Sequence, residues 1–197
     1  RDVHTETAKR IFHVDNPTAL MRRRAKAVNF GILYGMGAFS LSKDIHVSKK
    51  EAEKYIADYL GSFPKVSKFL DDIVKNATKN GYVCTMLGRR RYIPELNTKN
   101  KMVQAAGKRI AMNTPVQGTA ADLIKLAMIH VHDRLEKEVP TAKLLLQVHD
   151  ELIVEVPQED AEKASTILHE EMLNVAELSV PLTADVNKGV TWYDAKG

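Results

Sequence analysis

Met21-Arg-Arg-Arg-Ala-Lys-Ala-Val-Asn-Phe-Gly-Ile-Leu-Tyr-Gly35 is the stretch whose reading decides the fold. Asn16-Pro17 before it predicts a helix start, with Asn16 as N-cap and Pro17 at the first helical position. With residues 17–34 on a helix at about 100° per residue, Met21, Ala25, Val28 and Ile32 form a narrow apolar stripe. Arg22, Lys26, Phe30 and Tyr34 follow at steps of four, drifting about 40° per step and lying roughly 150° from the first stripe. One face meets a core. The other presents two cations and then two aromatic rings over roughly 18 Å. An ordinary solvated face does not align Phe and Tyr with Arg and Lys. A face that holds a triphosphate at one end and a base at the other does.

Outward from this helix, 197 residues suffice for one large domain or two small ones, and 44% hydrophobic content allows a core. Lys plus Arg exceed Asp plus Glu, for a formal charge of +4, which is compatible with a polyanionic partner. The basic clusters lie at 22–26, 89–91 and 99–109, whereas 150–177 is acidic. A single cysteine, Cys84, excludes an intrachain disulfide framework and suggests a reducing compartment. No apolar run approaches about 18 residues, so no membrane span is expected. The N-terminus is no signal peptide and lacks an initiator Met, so the chain reads as a fragment.

The element pattern is α+β. A short helix is expected over 5–13, then the helix ending at Tyr34, a turn at Gly35 and Gly37, and a capping box at Ser48-x-x-Glu51 opening a helix to about 60. Phe63-Pro64 starts a further helix that Gly81 stops. Residues 82–87 and 91–96 predict a hairpin, and 99–112 a basic helix. Pro115 is expected to interrupt before a long helix to about 137. Strands over 144–148 and 152–156 flank His149-Asp150-Glu151 in a tight hairpin. An amphipathic helix over 157–177 and a final strand over 181–192 complete the reading.

The pattern Arg22-x3-Lys26-x7-Tyr34-Gly35 resembles the nucleotide-binding helix of the fingers in family A DNA polymerases, the bacterial DNA polymerase I type. The resemblance implies that Lys26 lies nearest the α-phosphate as a candidate proton donor to the leaving group. Arg22 would grip phosphate, Phe30 would pack on the sugar and base, and Tyr34 would stack at the template position. The charge logic stands beside it: a guanidinium forks onto phosphate oxygens and an ammonium acts as a point charge. Asp2-Val3-His4-Thr5-Glu6-Thr7-Ala8 is similar to the family's segment preceding that helix and puts His4 near the β-phosphate.

Gln147-Val148-His149-Asp150-Glu151-Leu152 looks like the family's palm hairpin. Asp150 would then be a catalytic metal ligand, Glu151 a secondary carboxylate and His149 a neighbour of the primer terminus. Two-metal nucleotidyl transfer needs hard oxygen ligands at a rigid, exposed point, and a hairpin tip between apolar strands is one. Arg89 and Arg90, beside Arg91, and Arg109, beside Lys108, are candidate DNA phosphate contacts. Asn113 to Asp122 matches the start of a palm helix, from which Gln117, with Asn113 as weaker companion, would reach the minor groove.

The resemblance covers essentially the whole chain. It implies a helical fingers subdomain over 1–100 and the C-terminal part of the palm over 101–197, with thumb and first palm strand absent. The family's other catalytic Asp sits in an Asp-Tyr-Ser-type motif upstream of Arg1. The resemblance therefore implies part of a template-directed DNA polymerase with Mg2+ as cofactor at a two-metal site and a DNA primer–template and deoxynucleoside triphosphates as partners, completed by an N-terminal portion that carries the other carboxylate, and expected to be inactive alone. A cytoplasmic, nucleoid-associated placement goes with it. A phage-type single-subunit RNA polymerase and a non-catalytic nucleic-acid-binding module are the alternatives. Phe30, the Asp2–His4 segment and the Gln147–Glu151 segment favour the DNA enzyme over the RNA one.

Overall fold

The quoted stretch folds as α2, Ala19–Leu33, in a computed structural model that describes residues 2–196. Its start corrects the sequence reading. Thr18, not Asn16, is the N-cap: its backbone is extended and its hydroxyl accepts from the Met21 N–H at 3.3 Å. Pro17 therefore precedes the cap instead of opening the helix. The two stripes do separate as expected. Ala25, Val28 and Ile32 are buried, and Arg22, Lys26, Phe30 and Tyr34 are exposed.

The helix ends in a Schellman motif. Gly35 N–H donates to the Ile32 carbonyl and Met36 N–H to the Gly31 carbonyl, with Gly35 at φ +67°. A Cβ at Gly35 would lie 2.9 Å from Cγ of Arg109 and 3.2 Å from the Met112 sulfur. Positive φ and close approach act together here. Gly35→Ala is expected to destabilise the fold by about 2 kcal/mol, read as a lower urea midpoint at unchanged m-value. An unchanged midpoint would refute the close packing.

Around α2 the apolar faces of short helices close a core. α1, Val3–Phe12, begins two residues earlier than expected because the Asp2 carboxylate caps it, accepting from the His4 N–H at 3.1 Å. Ala8 and Ile11 of α1 meet Val28 and Ile32, joined by Leu41 of α3 (Ala38–Asp44) and Ala52 and Tyr59 of α4 (Lys49–Ser62). The Ser48–Glu51 capping box forms, with both reciprocal bonds present. Pro64 opens α5, Pro64–Asn80, and Gly81 at φ +79° closes it.

The first hairpin is shorter than predicted: β1, Tyr82–Cys84, pairs antiparallel with β2, Arg90–Tyr92. Pro94 has no N–H to extend the ladder, and Pro94–Asn97 turns into a 3-10 helix that buries Leu96 beside Ile93 and Val83. Pro115 does not interrupt its helix, a second correction. α6 runs unbroken from Lys101 to Glu138. Proline removes one backbone bond, yet Ala111 on one side and Ala127, Val131 and Leu135 on the other are buried in cores. That burial offsets a cost of about 3 kcal/mol.

Contacts divide the chain into two units, Arg1–Val116 and Gln117–Gly197. In the second, β3, Lys143–Val148, pairs antiparallel with β4, Glu151–Glu155, through an irregularity between Leu144 and Leu146. Leu152 packs with Ala127, Val131 and Leu135 and with Ala164 and Ile167 of α7, Ala161–Leu173. Arg134 of α6 bonds Glu138 at 2.7 Å and reaches Glu170 at 2.6 Å and Glu171 at 3.0 Å on α7. A 3-10 turn, Gln158–Asp160, precedes α7. The helix stops short of the expected 177, where Asn174 turns its side-chain amide back to the Glu170 carbonyl at 2.9 Å. The predicted last strand is also corrected. Residues 181–190 carry no regular structure, and α8, Trp192–Ala195, follows. A strand needs a paired edge, and no strand among the described residues forms a ladder with this segment. Fold class nonetheless stands as read: helices with two small antiparallel sheets, α+β.

Candidate active site

In the first unit, α1 and α2 build one exposed cationic and aromatic face. Asp2 joins them: its carboxylate accepts from the Thr5 hydroxyl at 2.6 Å and from Nε of Arg22 at 2.6 Å. The Arg22 guanidinium, first, and the Thr5 hydroxyl hold the Asp2 carboxyl well below the usual carboxylate range. The same bond raises Arg22 above its ordinary value. Because Asp2 engages Nε, the two terminal nitrogens of Arg22 stay without a partner among the described residues. They are the fork that a phosphate would take.

One turn on, Lys26 makes no ion pair among the described residues, and its Nζ lies 6.0 Å from the Phe30 ring centroid. Phe30 and Tyr34 stack with centroids 6.0 Å apart and an interplanar angle of 25°. The His4 ring lies 5.6 Å from Phe30. So the structure sets Arg22, Lys26, Phe30 and Tyr34 in line on the exposed face of α2 and places His4 beside Phe30.

The other basic candidates of this unit lie elsewhere on it. Arg90 stacks 4.9 Å above the Tyr82 ring. A hydrogen bond with Tyr92, and then the charge of Tyr82, push its pKa up. Arg91 reaches the Thr114 hydroxyl of α6 at 3.5 Å. Arg89 is exposed at the hairpin turn, where its N–H donates to the Thr85 hydroxyl at 3.1 Å. Arg109 is exposed on α6 and packs its stem on Gly35. Asn113 is half-buried, and its Oδ1 is buried without a partner.

In the second unit, Gln117 is exposed on α6. His149 and Asp150 form the turn between β3 and β4, and Glu151 is the first strand residue, paired with Val148. His149 is left-handed at φ +54°. The Gln147 side chain donates to its carbonyl at 2.6 Å, which fixes the turn. Asp150 and Glu151 are exposed, and neither carboxylate has a hydrogen bond or ion pair among the described residues. These are hard oxygen donors at a rigid tip, the donor type that Mg2+ takes. Among the described residues no group of three or more His, Cys, Asp or Glu side chains converges. The two carboxylates are thus a partial donor set.

Sequence reading missed three polar residues of the first face. Asp2 orients Arg22, and Asn29 and Thr7, both buried, tie His4 to α2. A signal existed for Asn29. It continues the Met21–Ala25 series at the next step of four, and a polar side chain on a buried stripe demands a partner.

A cation-and-aromatic helix face in one unit and an exposed carboxylate hairpin in the other leave the family open. Comparison narrows it: residues 1–194 match the family model for DNA polymerase family A, and the chain belongs to that family. It is 50% identical over 197 residues to DNA polymerase I of Geobacillus stearothermophilus, covering 99% of this chain and 22% of the relative. It is 47% identical over 198 residues to the thermostable DNA polymerase I of Thermus aquaticus, covering 100% of this chain and 24% of the relative. A solved structure, the POL domain of Pol1 from M. smegmatis in complex with DNA primer-template and dNTP, superposes with a TM-score of 0.93 at 40% identity. That match covers 100% of this chain and 35% of the other. The chain therefore spans about a fifth of the length of the curated relatives it matches.

Proposed function

We propose that this chain supplies the fingers, to about residue 100, and the C-terminal part of the palm of a template-directed DNA polymerase that adds deoxynucleotides to a primer 3′ end. The single observation that carries the reading is the α2 face, where Arg22, Lys26, Phe30 and Tyr34 stand exposed in line beside His4. The incoming nucleotide lies along it, phosphates on Arg22, Lys26 and His4, sugar and base on Phe30, with Tyr34 at the template position. A Phe ring supports stacking without choosing a base. Cations one turn apart offset charge as pyrophosphate leaves. Lys26 carries a proton that can pass to that leaving group.

Asp150 holds a divalent ion, with Glu151 nearby, and His149 lies by the primer end. Bound there, Mg2+ supplies charge stabilisation and a more acidic attacking hydroxyl. Arg89, Arg90 and Arg109 contact DNA phosphates, and Gln117 and Asn113 read the minor groove of the new pair, whose acceptors correct pairs share. A further carboxylate outside this chain completes the clamp. No helix among the described residues is long and apolar enough to cross a membrane, and we place the enzyme with DNA in the cell interior.

The test is metal-dependent pyrophosphate release on a primer–template. The full-length protein is expected to release it only with Mg2+ and deoxynucleotides, whereas the 197-residue chain alone releases none, because one hairpin's carboxylates cannot bridge two ions. Extension by the purified chain alone would refute the shared clamp. A full-length protein that binds DNA without incorporation would favour the non-catalytic binding module.

A further inference from the structure

The buried end of the His4 contact shows a role that the nucleotide face alone does not. The Asn29 amide nitrogen lies 2.9 Å from Nδ1 of His4. The Thr7 hydroxyl donates to the Asn29 oxygen at 2.9 Å. Thr7 is 0% exposed and Asn29 6%, so both groups are buried. Through Thr7, the Asn29 oxygen is spent as an acceptor and its nitrogen faces His4 as a donor. A donor aimed at Nδ1 requires a lone pair there, which places the ring proton on Nε2. Nε2 has no partner among the described residues, and the ring stands beside Phe30 on the nucleotide face.

We propose that Asn29, oriented by Thr7, is a positioning residue of the nucleotide site. It fixes the His4 ring angle and its tautomer so that Nε2–H is offered to a phosphate oxygen of the incoming nucleotide. The inference rests on the nucleotide reading of the α2 face. A reversed amide would put the proton on Nδ1 and aim the Nε2 lone pair at the phosphate, a repulsive contact. Thr7 anchors the amide in the orientation the structure shows. The relay also explains why a polar amide occupies the buried stripe of α2, where an apolar residue would pack at lower desolvation cost.

The experiment measures the dissociation constant of the next correct deoxynucleoside triphosphate from the full-length polymerase on a dideoxy-terminated primer–template, with the thermal midpoint recorded for each variant. Asn29→Leu is expected to weaken nucleotide binding about fivefold or more. Thr7→Val, which keeps the side-chain shape, is expected to weaken it about threefold. In a His4→Ala background neither change should add more than about twofold. That non-additivity is what a purely structural role would not produce. If Asn29→Leu fails to fold, Thr7→Val alone decides through the same cycle. Unchanged binding in Thr7→Val or Asn29→Leu, with His4→Ala impaired, overturns the relay and leaves the nucleotide face standing. Equal losses with and without His4 overturn it too, making Asn29 a packing residue. If His4→Ala and Lys26→Ala both bind nucleotide normally, the face and the relay fall together.

Discussion

Asp150→Asn in the full-length polymerase is expected to lower the single-turnover rate of nucleotide incorporation by about a thousandfold or more, with primer–template affinity nearly unchanged. Asp150 stands in a two-residue turn between paired strands, exposed, with no hydrogen bond or ion pair among the described residues. No fold contact is lost when its charge is removed, so the substitution isolates that charge. An amide has the carboxylate's shape and one fewer oxygen, and a hard divalent ion binds it far more weakly. A factor of a thousand corresponds to about 4 kcal/mol of transition-state stabilisation, the scale of one preorganised electrostatic group. The measurement is rapid-quench incorporation at saturating nucleotide and Mg2+. A rate within about threefold of wild type would remove Asp150 from the metal site and return the hairpin to ordinary turn chemistry.

The parts of this chain that were legible in its sequence share a property: their cause is local. The Ser48–Glu51 box, the Gly81 stop and the division of α2 into buried and exposed faces each follow from spacing within one or two turns. Where the sequence reading failed, the deciding partner lay further along the chain. Pro115 looks like a breaker until Ala111 and Ala127 are seen buried on either side of it. Residues 181–190 have strand character, yet strand character without an edge to pair with yields no strand. The site divides in the same way. Arg22, Lys26, Phe30 and Tyr34 were visible because one helix presents them in register. Asp2 and Asn29 were not, because their meaning lies in contacts across twenty or more residues, Asp2 with Arg22 and Asn29 with His4 and Thr7.

Lys26→Ala in the full-length polymerase is expected to cut the incorporation rate about a hundredfold and weaken nucleotide binding about tenfold, with primer–template affinity changed by less than about twofold. Of the two cations in line on the α2 face, Arg22 already spends one nitrogen on Asp2, whereas Lys26 has no ionic partner among the described residues. Removing Arg22 would also strip Asp2 of its partner and disturb the cap of α1. Removing Lys26 leaves α2 intact, because alanine is a strong helix former and the position is exposed. The rate should fall further than the affinity. Negative charge on the leaving pyrophosphate grows toward the transition state, and an interaction that strengthens along that path contributes more to the rate than to ground-state binding. Lys26→Arg keeps the charge but replaces a compact ammonium with a broad fork. It should recover affinity better than rate. A Lys26→Ala loss confined to DNA affinity, with a shallower salt dependence of binding, would instead make the face a contact for the DNA backbone and overturn the placement of the triphosphate along α2.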